Sequence, residues 1–121
     1  MSELDAGSPA RYRPRMAIRQ ITPQQLKTMM DGGQPLELLD VRTQAERAIA
    51  RIQRARLLDE SVVAHLQTLP RDTLLVFHCH HGMRSQSAAR QFEEQGFTNV
   101  CNLSGGIDAW STAVDLSVPQ Y

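Results

Sequence analysis

The chain has 121 residues, a formal net charge of zero and an apolar fraction of 41%, so it holds one domain with enough apolar surface for a core. The balanced charge gives no bulk field toward nucleic acid or an anionic membrane, and no apolar run approaches a membrane span or a signal-peptide core. Two cysteines, Cys79 and Cys101, do not make a disulfide framework, and free thiols fit a reducing compartment and a cytoplasmic protein.

Charge is uneven along the chain. Residues 1–56 hold ten Lys/Arg against six Asp/Glu, and residues 57–121 hold three against seven. The first 15 residues carry Gly7, Ser8, Pro9 and Pro14, with Arg11, Arg13 and Arg15 around Tyr12. They read as a flexible basic tail, and the domain takes in 16–121.

Ile18 to Ile21 reads as a first strand. Thr22-Pro23-Gln24-Gln25 then predicts a helix start, with threonine as N-cap, proline at N1 and glutamine closing a capping box. Leu26, Met29 and Met30 give that helix one apolar face, and Asp31-Gly32-Gly33 ends it. Leu36 to Val41 is a second strand with Asp40 and Arg42 at its C-terminal end. Thr43-Gln44-Ala45-Glu46 is another capping box, opening a helix on which Arg47, Arg51 and Arg54 fall at helical spacing. That arginine face is solvated, or it docks an acidic protein partner. Asp40, Arg42 and Glu46 form either a local ion and cap network or a supporting shell for chemistry at the strand ends.

Leu57 and Leu58 suggest a short third strand. Asp59 caps a helix carrying Val62, Val63, Leu66 and Leu69, which Pro70 closes, and His65 on it is a surface residue. Leu74 to His78 is apolar on both faces, as a central parallel strand requires. A helix follows over Ser85 to Gln95 with Ala88, Ala89 and Phe92 inward, Gly96 at C′ and Phe97 packing back. Val100 to Leu103 is a last strand, on which Cys101 is read as a buried, inert thiol. Gly105-Gly106 permits a tight turn, Trp110 anchors a terminal helix, and residues 112–121 read as a loosely held end.

The chemistry concentrates in Cys79-His80-His81-Gly82-Met83-Arg84-Ser85. A cysteine between a strand end and a helix start sits where backbone N–H groups lack intrahelical partners and the helix dipole is positive. Such a nest lowers a thiol pKa and makes a thiolate nucleophile at neutral pH. The run His78-Cys79-His80-His81 is not read as a metal site, because adjacent residues on a strand point to alternate faces.

This loop resembles the active-site loop of the rhodanese-like sulfurtransferases. Leu38-Leu39-Asp40-Val41-Arg42 and Leu103-Ser104-Gly105-Gly106-Ile107-Asp108-Ala109-Trp110 resemble two further signatures of that family, in the family's order. The resemblance implies a five-stranded, mainly parallel α/β sheet with helices on both faces, and alternation of strands and helices argues the same. It also implies a sulfane sulfur carried as a persulfide on Cys79, with no cofactor. Thiosulfate or another sulfane compound is the expected donor, and cyanide or a cellular thiol the acceptor. Backbone N–H groups from His80 through Ser85 would hold the sulfur, and Gly82 would let the loop close. Arg84 would brace the loop or orient the donor. Ser85 would donate to the thiolate and cap the helix, while His80 and His81 add positive charge at the rim. Family members carry Gly-His-Ile-x-Gly-Ala where this chain has Ala50-Arg51-Ile52-Gln53-Arg54-Ala55, so the turn there is expected to differ. Four residues separate Cys79 from Arg84, as in the sulfurtransferase branch, whereas the related phosphatases have five. A phosphatase or arsenate reductase, and a catalytically idle interaction module, are the alternatives.

Overall fold

In a computed structural model that describes residues 18–121, strands and helices alternate in the order the sequence predicts. The basic tail expected over 1–15 lies outside the described residues. The elements are β1 (Arg19–Ile21), α1 (Pro23–Asp31), β2 (Glu37–Asp40), α2 (Gln44–Ile49), β3 (Arg56–Leu57), α3 (Glu60–Gln67), β4 (Leu75–His78), α4 (Met83–Glu94), β5 (Val100–Leu103) and α5 (Gly106–Ala113). The strands form one sheet in the order β1-β5-β4-β2-β3, and every pairing is parallel.

Capping chemistry places the helices. Thr22 and Thr43 each accept the N3 backbone N–H, while Gln25 and Glu46 reach back to the N-cap backbone. Each box satisfies two orphan donors. Asp59 accepts from the Val62 N–H at 2.9 Å and starts α3.

Side-chain alternation along the central strands divides the core in two. Leu38, Val76, Cys101 and Leu103 face one layer with Leu26 of α1 and Ile107 and Trp110 of α5. Leu39, Leu75, Phe77 and Val100 face the other with Leu66 of α3 and Ala89 and Phe92 of α4. Phe77 and Phe97 are fully buried against Phe92, with ring centroids 5.1 and 5.7 Å from it. Burial of side chains this size stabilises by roughly 2–3 kcal/mol each. Among the described residues, no helix is long and apolar enough to cross a membrane.

Two local expectations are corrected. Helix α2 stops at Ile49, so Arg51 and Arg54 lie beyond it and share no helical face with Arg47. Arg54, standing where the family segment has its second glycine, has φ 77°. An arginine thus takes a left-handed conformation that glycine would adopt without strain. The segment after α5 is tied down rather than loose. Val118 is buried in the α1/α5 layer, and the Ser111 hydroxyl donates to its carbonyl.

Candidate active site

Strand β4 is the middle strand, and Cys79 directly follows its last residue, His78. Parallel sheets gather their sites at such C-terminal strand ends. Helix α4 begins at Met83, two residues earlier than the sequence pattern suggests, with Gly82 as N-cap at φ 106°. That left-handed φ favours glycine, and the Gly82 N–H donates to the Cys79 sulfur at 3.1 Å. The Ser85 N–H reaches the same sulfur at 3.4 Å and the Ser85 hydroxyl at 3.3 Å. The sulfur thus takes the N-cap and N3 donors that a capping box divides between two side chains.

Ser85 itself is not the cap. It sits in the first turn, and its hydroxyl points to Cys79 and to Asn102 Oδ1, 2.6 Å away. The Gly82 and Ser85 N–H groups lie within hydrogen-bond distance of the sulfur, and the Arg84 N–H adds to them.

Cys79 is only 1% exposed. Burial pushes its thiol pKa up, but the Ser85 hydroxyl and the N–H groups of Ser85, Gly82 and Arg84 outweigh burial and hold it below the ordinary value. The loop is clamped from behind by α5. The Ile107 N–H donates to the Cys79 carbonyl at 2.9 Å and the Asp108 N–H to the His80 carbonyl at 3.1 Å. This close approach requires a glycine at 106, because a Cβ there would collide with both carbonyl oxygens.

Arg84 directs its side chain to a carboxylate. Its guanidinium makes a forked pair with Glu46, Nη1 to Oε1 at 2.8 Å and Nη2 to Oε2 at 3.0 Å. The paired guanidinium holds the Glu46 carboxyl well below the usual range. Glu46 Oε2 also accepts the Tyr121 hydroxyl at 2.8 Å. Tyr121 in turn accepts from Arg42 Nη1 at 2.9 Å and stacks on the His80 ring at 4.0 Å.

Arg42 and Asp40 are buried and locked to each other, Nε to Oδ1 at 2.9 Å and Nη2 to Oδ2 at 2.7 Å, and Arg42 also donates to the Ala50 carbonyl. Arg47 turns inward to Asp40 Oδ2 at 3.1 Å. Asp40, Arg42 and Glu46 are therefore brought into one network under the loop, joined to it through Arg84 and Tyr121. Arg47 belongs to that network, while Arg51 and Arg54 are exposed.

His80 lies between Tyr121 and His81, whose ring stacks on it at 3.9 Å. His81 Nε2 stands 3.9 Å from Asp108 Oδ2. Ligand atoms of His80, His81 and Asp108 lie within 4.8 Å of one another. The two imidazoles are stacked at 27°, so their in-plane lone pairs do not converge on a common point as a shared metal would need. Met83 is 82% exposed and points outward.

Sequence reasoning missed three contributors. Asn102, 3% exposed, is a lone amide in an apolar strand, and that buried polar position was the available signal. His78, fully buried at the end of β4, has its Nε2 3.8 Å from Asp40 Oδ2, and burial pushes its pKa down to about 4. Tyr121 had no local signal at all.

The comparisons agree with this geometry. The family model for the rhodanese-like domain matches residues 22–113, from the α1 cap through α5. The chain belongs to the rhodanese-like family. Thiosulfate sulfurtransferase GlpE of Pseudomonas aeruginosa is 34% identical over 94 residues, covering 77% of this chain and 84% of that protein. The putative sulfurtransferase YtwF of Bacillus subtilis is 35% identical over 96 residues, with 78% and 92% covered. The probable adenylyltransferase/sulfurtransferase MoeZ of Mycobacterium tuberculosis is 35% identical over 104 residues, but this chain spans only 26% of its length. The crystal structure of a rhodanese-like domain protein from Staphylococcus aureus superposes with a TM-score of 0.68 at 26% identity, covering 86% of this chain and 99% of that one.

Proposed function

We propose that this rhodanese-like domain is a sulfurtransferase that carries sulfane sulfur on Cys79. The observation that carries the reading is one buried sulfur facing three donors, from Gly82 and Ser85, at a helix start. Those donors favour a thiolate, and a thiolate needs no general base to attack. With thiosulfate as donor, the Cys79 thiolate attacks the outer sulfur, a sulfur–sulfur bond forms on Cys79, and sulfite leaves with the electron pair of the broken bond. Cyanide or a cellular thiolate then attacks the terminal sulfur, and Cys79 leaves as thiolate. The persulfide is the only covalent intermediate, and no cofactor or metal takes part.

The names of GlpE and YtwF support sulfur transfer as the activity. The short spacing, with four residues between Cys79 and Arg84, favours sulfur over a tetrahedral phosphate or arsenate. Because Arg84 is engaged by Glu46, its role in this reading is to brace the loop. Arg51 and Arg54 are the exposed charges that would meet an acidic protein partner, since Arg47 is engaged by Asp40. The test is thiocyanate formation from thiosulfate and cyanide. The wild-type chain turns over and Cys79→Ser does not; equal rates in both would refute the reading.

A further inference from the structure

We infer that Asn102 is a positioning residue for the nucleophile: it competes with the Cys79 sulfur for the single hydroxyl hydrogen of Ser85. The inference extends the reading of Cys79 as nucleophile, and it starts from a hydrogen count. Ser85 Oγ stands 2.6 Å from Asn102 Oδ1 and 3.3 Å from Cys79 Sγ. Both distances suit a hydrogen bond, sulfur being the larger atom, yet a hydroxyl has one hydrogen to give.

The amide's orientation is fixed by its other contacts. Asn102 Nδ2 lies 3.1 Å from the Gly82 carbonyl and 2.9 Å from Gln20 Oε1. A backbone carbonyl only accepts, so the amino group must face it and Oδ1 must face Ser85. Ser85 is therefore the donor to Asn102. Ser85 and Asn102 are 0% and 3% exposed, so the exchange is confined to these two acceptors.

The competition has a use in sulfur transfer. A thiolate is charged and draws the hydroxyl toward itself. Once a second sulfur is bonded to it, Sγ becomes a neutral bridging atom and a weak acceptor. The hydroxyl then turns fully to Asn102 instead of being left unpaired in the interior. Asn102 thus keeps Ser85 satisfied in both forms of the enzyme, at the expense of some stabilisation of the free thiolate.

Other ionisable groups surround the cup: His78 and His80 beside Cys79, Arg84 with its partner Glu46, and Tyr121 against His80. Asp108 of α5 reaches it through His81. Substitution at 102 or 85 leaves all of them in place, so their influence cancels in a double-mutant cycle.

The experiment reads the pH at which Cys79 is half ionised from thiolate ultraviolet absorbance. Subtracting the matching Cys79→Ser protein removes the tyrosines and Cys101. Asn102→Leu and Asn102→Asp are each made with Ser85 and with Ser85→Ala, and thermal melting confirms folding. Asn102→Leu removes the competing acceptor and should increase the thiolate-to-thiol ratio about threefold at a given pH. Asn102→Asp strengthens the competitor and should decrease that ratio. In the Ser85→Ala background the leucine effect should vanish and the aspartate effect should shrink. Should the leucine variant fail to fold, the near-isosteric aspartate pair carries the test. Shifts of equal size in both backgrounds, no shift in either, or a lower thiolate fraction with leucine would overturn the inference. None of these readings requires sulfur transfer, so failure of the functional proposal stays distinguishable from failure of this one.

Discussion

At Cys79 a single sulfur does the work of a helix cap, and its thiol pKa is held low by doing it. The N-cap and N3 donors of α4 close on it, and each stabilises negative charge there. Arg84, the loop's strongest charge, is meanwhile neutralised by a forked pair with Glu46. Glu46→Gln keeps the capping box, since glutamine serves at N3 in α1, but it removes the charge that holds Arg84. Freed positive charge at the rim should lower the KM for dianionic thiosulfate about threefold at low salt, with the effect fading as ionic strength rises. A KM that stays unchanged or increases in steady-state assays would contradict this account of Arg84. The sequence made Cys79 and its loop legible, because a cysteine between an apolar strand and a helix start has few other readings. It did not reveal Asn102 or Tyr121, whose partners lie 17 and 75 residues away in the chain.

At the level of elements, the caps and strand edges were readable because they are local. Thr22 with Gln25, Thr43 with Glu46, and Asp59 each start the helix their spacing predicts. The stretch after α2 was not readable in the same way. Helical spacing of Arg47, Arg51 and Arg54 suggested one face, yet the chain leaves the helix at Ile49, and Arg47 is drawn inward by Asp40. Tertiary pairing overrode local periodicity. The turn that follows has a left-handed residue at Arg54, φ 77°, at a cost of about 1 kcal/mol for a side chain with a Cβ. Arg54→Gly should therefore stabilise the domain by up to about 1 kcal/mol, less the added entropy of the unfolded chain. Chemical denaturation measures this, and destabilisation by the glycine would show that the arginine side chain holds the turn.

Across the whole molecule, the parallel order β1-β5-β4-β2-β3 brings the C-terminal ends of β2 and β4 side by side. That places His78 against Asp40, with Arg42 and Arg47 around the carboxylate. Buried His78 protonates only near pH 4 in the folded state, against an ordinary value of 6.5. The unfolded chain binds the proton first, so stability is present above pH 6.5 and is lost as pH falls toward 4. The sum is roughly 2 kcal/mol by pH 4.5. Asp40, held low against burial by Arg42, adds its loss only below the ordinary carboxylate range. Denaturant melts at pH 7 and pH 4.5 should show this loss in the wild type and little of it in His78→Gln. An equal loss in both would place the acid sensitivity elsewhere. The fold was legible as a whole because strands and helices alternate cleanly. The docking of residues 114–121 was not, since it rests on Val118 in the α1/α5 layer and on Tyr121 meeting Arg42 and Glu46.

The most direct test of the central claim is the intact mass of the chain after incubation with thiosulfate in the absence of reductant. The account predicts a gain of one sulfur atom, absent in Cys79→Ser and removed by cyanide. A mass that stays unchanged with thiosulfate and with glutathione persulfide, or a gain that persists in Cys79→Ser, would contradict it.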